Sequence, residues 1–430
     1  MKQNLSWVQK FIIYFFLQIL LAVPAWAFRA DLQWGNTSIL THVNAQDWTY
    51  LQDSQARLTV RLPFGNNAGL EAQGVAAWGI TQENPVLSTL LPNPSATADL
   101  VTFVLWGEQN TSSGTWFWKV GRWKVEDLTH WLVNTPLNSV QVGWAGGNTT
   151  VSVLALYTGW LNRWWSNIFV SQADYQDLAQ FFYQQNPMVF QYTAPRFGGG
   201  LTIRQAQIFQ QQNLAFQLFG QVDSRAVNPV NTAYATVELS GPWSTAFSSK
   251  VFFSLTGANT DLGTLSKGNN WAGLAGANLS YQMTPRLALK AQSLWPLGFT
   301  PSFGPLALSP QSPSETLPLL SLMYTGTVSL SLESRPQPHT FLDFKTAFLF
   351  QSGAANQNSV STPFFTPTLP NLNPAEGAGY LGTEFQVAAV WNPTSEWSLK
   401  GEYSVLSPAD GAFTDNHLMS LLGVNLELEM

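Results

Sequence analysis

The chain of 430 residues contains no cysteine. That excludes a disulfide framework, a thiol nucleophile and any thiolate metal site. Charge is scarce as well. Asp, Glu, Lys and Arg together make up 10% of the residues, against about 25% in ordinary soluble domains. The four histidines, His42, His130, His339 and His417, lie far apart. No HExxH, GxSxG or phosphate-loop pattern occurs, and no His/Asp/Glu set has ligand spacing. A catalytic or metal-dependent reading therefore has little material, and no cofactor is expected. The nearest thing to an acid–base pair is Asp127 with His130 three residues on. A solvated or capping histidine is the plainer reading of it. Long apolar runs are missing too. Past residue 27 nothing approaches the ~20 residues of a membrane helix.

Aromatic residues, by contrast, are plentiful, at 13% of the chain with 19 Trp. The N-terminus reads as a targeting segment. Lys2 and Lys10 give a positive start, Phe11 to Val23 is apolar, and Ala25-Trp26-Ala27 is an A-x-A cleavage site. Residues 1–27 are thus expected to be a signal peptide, with residues 28–430 the mature domain. Of 19 basic residues, removal of Lys2 and Lys10 leaves 17 against 25 acidic ones, a formal net charge of −8. No nucleic-acid partner is suggested.

The end of the chain sets the pattern for the rest. Leu422, Val424, Leu426, Leu428 and Met430 alternate with Gly423, Asn425, Glu427 and Glu429. Period two means a strand with one aliphatic and one polar face. Such segments recur near 28–35, 57–64, 69–80, 99–108, 115–122, 138–145, 149–157, 198–208, 212–222, 231–240, 246–256, 270–282, 286–294, 318–334, 340–351, 377–391, 396–405 and 417–429. Short Gly-, Pro- and Asn-rich links alternate with long ones at 36–56, 81–98, 123–137, 158–197, 257–269, 295–317, 352–376 and 406–416, with a shorter one at 223–230. An up-and-down barrel with short turns at one end and long loops at the other requires that alternation. It also puts both termini at the short-turn end and the last strand beside the first. The expected fold is an all-β transmembrane antiparallel barrel of about 18 strands (16–18). A short amphipathic helix is expected at Ser171 to Asn186, inside loop 158–197. Trp34, Trp78, Trp106, Trp144, Trp271, Trp391 and Trp397 fall near predicted strand ends, where interface girdles would place them. A soluble β-sandwich is the alternative, but nothing in it calls for alternating loop lengths.

With these features in place, the chain resembles Gram-negative-type outer-membrane β-barrels, most of all the porin and alginate-export-like group. Val120-Gly121-Arg122-Trp123-Lys124-Val125-Glu126-Asp127 resembles a strand-to-loop segment seen in some of those barrels. The resemblance implies an outer-membrane location. It also implies contact with membrane lipid, recognition of the closing strand by the barrel-assembly machinery, and passage of small polar solutes. Met430 stands where many such proteins carry a terminal Phe.

Strand parity then nominates lumen-facing charges. The candidates are Arg57, Arg61, Lys119, Arg204, Lys250, Arg286, Lys290, Asp343, Lys345, Glu384, Lys400 and Glu402. They read either as a mixed-charge pore wall or as cross-strand ion pairs that fill and solvate the lumen. Asp343 with Lys345, and Lys400 with Glu402, look like pairs of the second kind. Link 123–137 has the composition of a loop that folds inward and narrows a pore, with Arg122, Lys124, Glu126 and Asp127 as its charged candidates. Link 158–197 is dense in aromatics and is the expected lumen plug. A diffusion channel is the leading function. A barrel-anchored surface-binding protein and an outer-membrane hydrolase are the alternatives.

Overall fold

The computed structural model describes residues 29–42, 48–83, 93–159, 161, 195–209, 211–223, 230–261, 267–298, 325–351, 379–410 and 419–429. The expected signal peptide and the expected helix at 171–186 lie outside these residues, as does most of link 158–197.

Eighteen strands run in chain order. They are β1 (Arg29–His42), β2 (Trp48–Pro63), β3 (Ala68–Glu83), β4 (Asn93–Thr111), β5 (Gly114–Glu126), β6 (Asn134–Gly146), β7 (Thr149–Tyr157), β8 (Arg196–Phe209) and β9 (Gln212–Asp223). The second half holds β10 (Val230–Pro242), β11 (Phe247–Asp261), β12 (Lys267–Thr284), β13 (Leu287–Gly298), β14 (Thr325–Gln337), β15 (Thr340–Gln351), β16 (Tyr380–Trp391), β17 (Trp397–Pro408) and β18 (Met419–Glu429). Each strand pairs antiparallel with its sequence neighbours, and β18 pairs with β1, so the sheet closes. The closing register runs from Gln33↔Glu429 to His42↔Ser420. Closure leaves no edge, which is what a sheet in lipid needs.

The two faces of the wall are inverted relative to a soluble protein. Leu58, Val142, Val153, Val251, Phe253, Leu330, Phe344, Phe385 and Val424 are exposed on the outside. Thr236, Ser254, Thr256, Thr325, Ser329 and Ser404 are buried on the inside. So large an apolar outer wall suits hydrocarbon, and hydroxyl-rich inner parity suits a wet or polar-filled lumen. Trp78, Trp271, Trp391 and Trp397 are exposed on the outer face as a girdle requires. Trp106 departs from that expectation: it shares the inner parity of Lys119 and lies over Gly69. The same cross-strand cover recurs with Trp118 over Gly107 and Phe252 over Gly276. A ring covering a glycine backbone shields a ladder that the missing side chain would leave bare.

Several strands extend beyond their predicted limits. Link 36–56 shrinks to residues 43–47 because the β1–β2 ladder continues to His42↔Trp48. The sequence mixes polar and apolar residues on both faces there, and Asn36 donates to Ser54 and Thr37 to Asn425, at 3.3 and 3.2 Å. Backbone pairing and amide–hydroxyl bonds thus carry the sheet on without apolar alternation. Strand β14 begins at Thr325, so Leu320 and Leu322 precede it and lie outside the described residues.

Candidate functional site: a hairpin arm inside the barrel

Strands β5 and β6 pair with each other along their whole length, to Glu126↔Asn134. Their ladders to the rest of the wall stop earlier. The β4–β5 ladder ends at Phe103↔Arg122, and the β6–β7 ladder ends at Asn138↔Tyr157. Residues 123–137 are therefore a hairpin arm paired only with itself. It leaves the wall at Gly121, whose φ is +129°. A Cβ there would sit 1.9 Å from the Phe103 carbonyl oxygen, so the bend needs glycine.

Arg122 holds the root of the arm. Its Nε donates to Asn138 Oδ1 at 2.9 Å and its Nη1 to the Leu100 carbonyl at 2.8 Å, with Asp99 Oδ2 at 3.4 Å. Strand β4 loses its β5 partner just beyond Phe103, so a main-chain carbonyl near that point needs another donor. The guanidinium supplies it.

The tip, residues 127–133, is organised around Asp127. Its Oδ1 accepts from the backbone N–H of Leu132 and Val133 at 3.1 and 2.9 Å. Its Oδ2 accepts from the Thr129 N–H at 2.8 Å and from the Thr129 hydroxyl. Asp127 is buried. Burial pushes its carboxyl above the ordinary range, against the lowering effect of these donors. Both oxygens are occupied by the loop's own backbone, so Asp127 is a scaffold and not a lumen-facing charge. The Asp127–His130 acid–base pair does not form. His130 sits at φ +64° and places Nδ1 3.2 Å from Glu126.

One side of the arm is apolar. Val125, Leu132, Val133 and Leu137 are buried with Leu156, Phe219, Tyr234, Phe252, Leu274 and Leu294 of strands β7 and β9 to β13. Full burial of each aliphatic side chain is worth roughly 1.5–3 kcal/mol, so docking to the inner wall is strongly favoured. The arm's main chain is also held by polar wall residues. Gln217 of β9 accepts from the Leu128 N–H at 3.0 Å, and Lys250 of β11 donates to the Leu128 carbonyl at 2.7 Å. Lys250 is also 3.0 Å from Glu238.

The polar side of the arm faces the lumen. Lys124 and Glu126 pair at 2.5 Å. Between the tip and the short-turn end is a cavity of 590 Å³, lined among others by Glu126, His130, Thr150, Arg204, Glu238 and Lys250.

Five of the twelve predicted wall charges, Arg61, Lys250, Lys290, Lys400 and Glu402, are paired in place. Arg61 binds Asp31 at 2.6 Å and Glu71 at 3.0 Å, Lys290 pairs with Glu333, and Lys400 pairs with Glu402 at 2.6 Å. Glu384 is buried within the wall. Two expectations fail. Arg286 lies in the turn before β13, exposed, with Nη1 3.4 Å from the Pro336 carbonyl. Asp343 and Lys345 form no ion pair, because the β14–β15 register sets Asp343 opposite Glu333 and Lys345 opposite Ser331. Arg57, Lys119 and Arg204 keep the inner parity and have no acidic partner among the described residues. Parity alone missed Gln217, a neutral residue whose role depends on a contact 89 positions away. Parity does nominate Asp223 as an inward acid, but not its pairing with Arg196, fully buried 3.9 Å away at the far end of β8–β9.

A closed 18-stranded antiparallel barrel with an inward hairpin is the fold class these observations define. No protein-family model and no curated protein matches the chain. Solved structures do. OccK5 (OpdH) of Pseudomonas aeruginosa aligns with a TM-score of 0.58 and 10% identity over 95% of this chain and 100% of its own. OccAB1 of Acinetobacter baumannii gives 0.56 and 9% over 94% and 96%. The outer membrane protein opdK of Pseudomonas aeruginosa gives 0.51 and 8% over 94% and 99%. At these identities the likeness is one of fold.

Proposed function

We propose that the chain is an outer-membrane diffusion channel for small polar solutes, narrowed by the 123–137 arm, and not an enzyme. The observation that carries this reading is the arm itself. It docks its apolar side on the inner wall and turns Glu126 and His130 toward a cavity, with Lys124 paired to Glu126. A barrel used only as an anchor has no need of a wall hairpin committed to its lumen.

The inverted wall supports membrane residence, and one solved structure of the same fold is that of an outer membrane protein. In this reading residues 1–27 direct export and are removed. Both termini and the short turns lie on the periplasmic side, and the assembly machinery recognises β18. Most acids of the wall are paired while Arg57, Lys119 and Arg204 have no acidic partner among the described residues, which favours anions modestly over cations.

Swelling of proteoliposomes in small sugars and amino acids tests the proposal. Permeation well above that of protein-free vesicles is expected. Vesicles carrying folded protein that swell no faster than empty ones would refute it.

A further inference from the structure

The arm touches the wall through two kinds of contact that differ in what can undo them. Its apolar contacts are spread over six wall strands. Its polar contacts converge on one residue. The N–H and the carbonyl of Leu128 are both held by wall side chains, Gln217 and Lys250, at 3.0 and 2.7 Å. Each of these is itself oriented by a wall neighbour. Gln217 Nε2 donates to Thr202 Oγ1 at 3.0 Å, and Lys250 is 3.0 Å from Glu238. Leu128 is buried beneath them. A two-point grip on the two peptide groups that flank one Cα fixes both the position and the rotation of the tip, which spread apolar contacts do not. The root is fixed independently, by Gly121 and Arg122.

We propose that Gln217 and Lys250 form a clamp on Leu128 that sets the position of the arm tip, and with it the width of the passage. They are positioning residues that act through Leu128. The deeper inference rests on the channel reading for its effect on passage, but the clamp itself does not depend on conduction. Lys250 also carries charge into the lumen, so its replacement alone would mix two effects. Gln217 is neutral and isolates the clamp.

The absence of native cysteine allows a direct test. Val133→Cys places a thiol at a fully buried site of the docked arm, and its main-chain bond to Asp127 is retained. The rate of thiol labelling in folded protein then reports undocking, whether or not the protein conducts. Adding Gln217→Leu or Lys250→Met to this background should each raise the labelling rate about tenfold, the cost of one lost buried hydrogen bond. In planar bilayers the same two replacements should increase current noise, with Gln217→Leu leaving ion selectivity unchanged. Labelling rates equal to the Val133→Cys parent in both variants would overturn the clamp. So would a Lys250→Met variant that only shifts the reversal potential while Gln217→Leu is silent in both assays. If labelling rises and no variant or parent conducts, the clamp stands and the channel reading falls.

Discussion

At the scale of single residues, the site separates charges that build from charges that are free to act. Asp127 looks functional in the sequence because it sits in a polar loop beside a histidine. In the fold it is the acceptor that three backbone N–H groups and one hydroxyl share. Asp127→Asn keeps the shape and replaces an acceptor oxygen with a donor facing N–H groups. It should cost about 1–3 kcal/mol, read as a lower midpoint of heat-induced unfolding in detergent. An unchanged midpoint would show that the tip does not depend on this carboxylate. Among the wall charges, Arg204 is unpaired within the described residues whereas Lys400 is matched by Glu402. Arg204→Gln should therefore move the reversal potential toward cations. The double change Lys400→Gln with Glu402→Gln should leave it in place. Parity in the sequence nominates both Lys400 and Arg204 as inward residues. Parity does not distinguish them; the i,i+2 spacing suggests the Lys400–Glu402 pair, but the same spacing in Asp343 and Lys345 gives none, since the facing strand sets Asp343 opposite Glu333.

At the scale of elements, alternation of apolar and polar residues makes the strands legible, and the alternation of link lengths orders them. Both signals weaken where β1 and β2 continue past Asn36 and Ser54, because the sequence there mixes polar and apolar residues on both faces. The arm is a different case. Link 123–137 is recognisable as inward-folding from its mixture of charges and apolar residues. What the sequence hides is that β5 and β6 do not end there. They continue as a hairpin after leaving their outer neighbours. The bend that allows this falls on Gly121, where no side chain fits against Phe103. Gly121→Val should abolish or sharply reduce the folded, heat-modifiable form on gels. Gly74→Ala should be tolerated, because no atom lies within 4 Å of the added methyl group. Equal yields of folded protein from the two variants would show that the arm does not need this backbone conformation.

At the scale of the whole molecule, the wall places apolar side chains outside and hydroxyls and charges inside, and β18 closes it against β1. The first expectation drawn from Leu422 to Met430 therefore holds at the level of the ladder. Gly423, Asn425 and Glu427 share the inner parity, and Leu422 and Val424 are exposed outside. A charge on the outer face near the middle of the bilayer costs about 2–4 kcal/mol. Val424→Arg should accordingly impair assembly into lipid vesicles, and Asn425→Arg, one residue along on the inner face, should not. The arm and the inverted wall together make one claim: this barrel holds a passage that its own hairpin restricts. The most direct measurement is single-channel conductance in planar bilayers, comparing the intact chain with one whose tip residues 128–132 are replaced by a short Gly-Ser link. The account predicts discrete steps for both and larger steps for the shortened arm. Steps of equal size, or none from either protein, would contradict it.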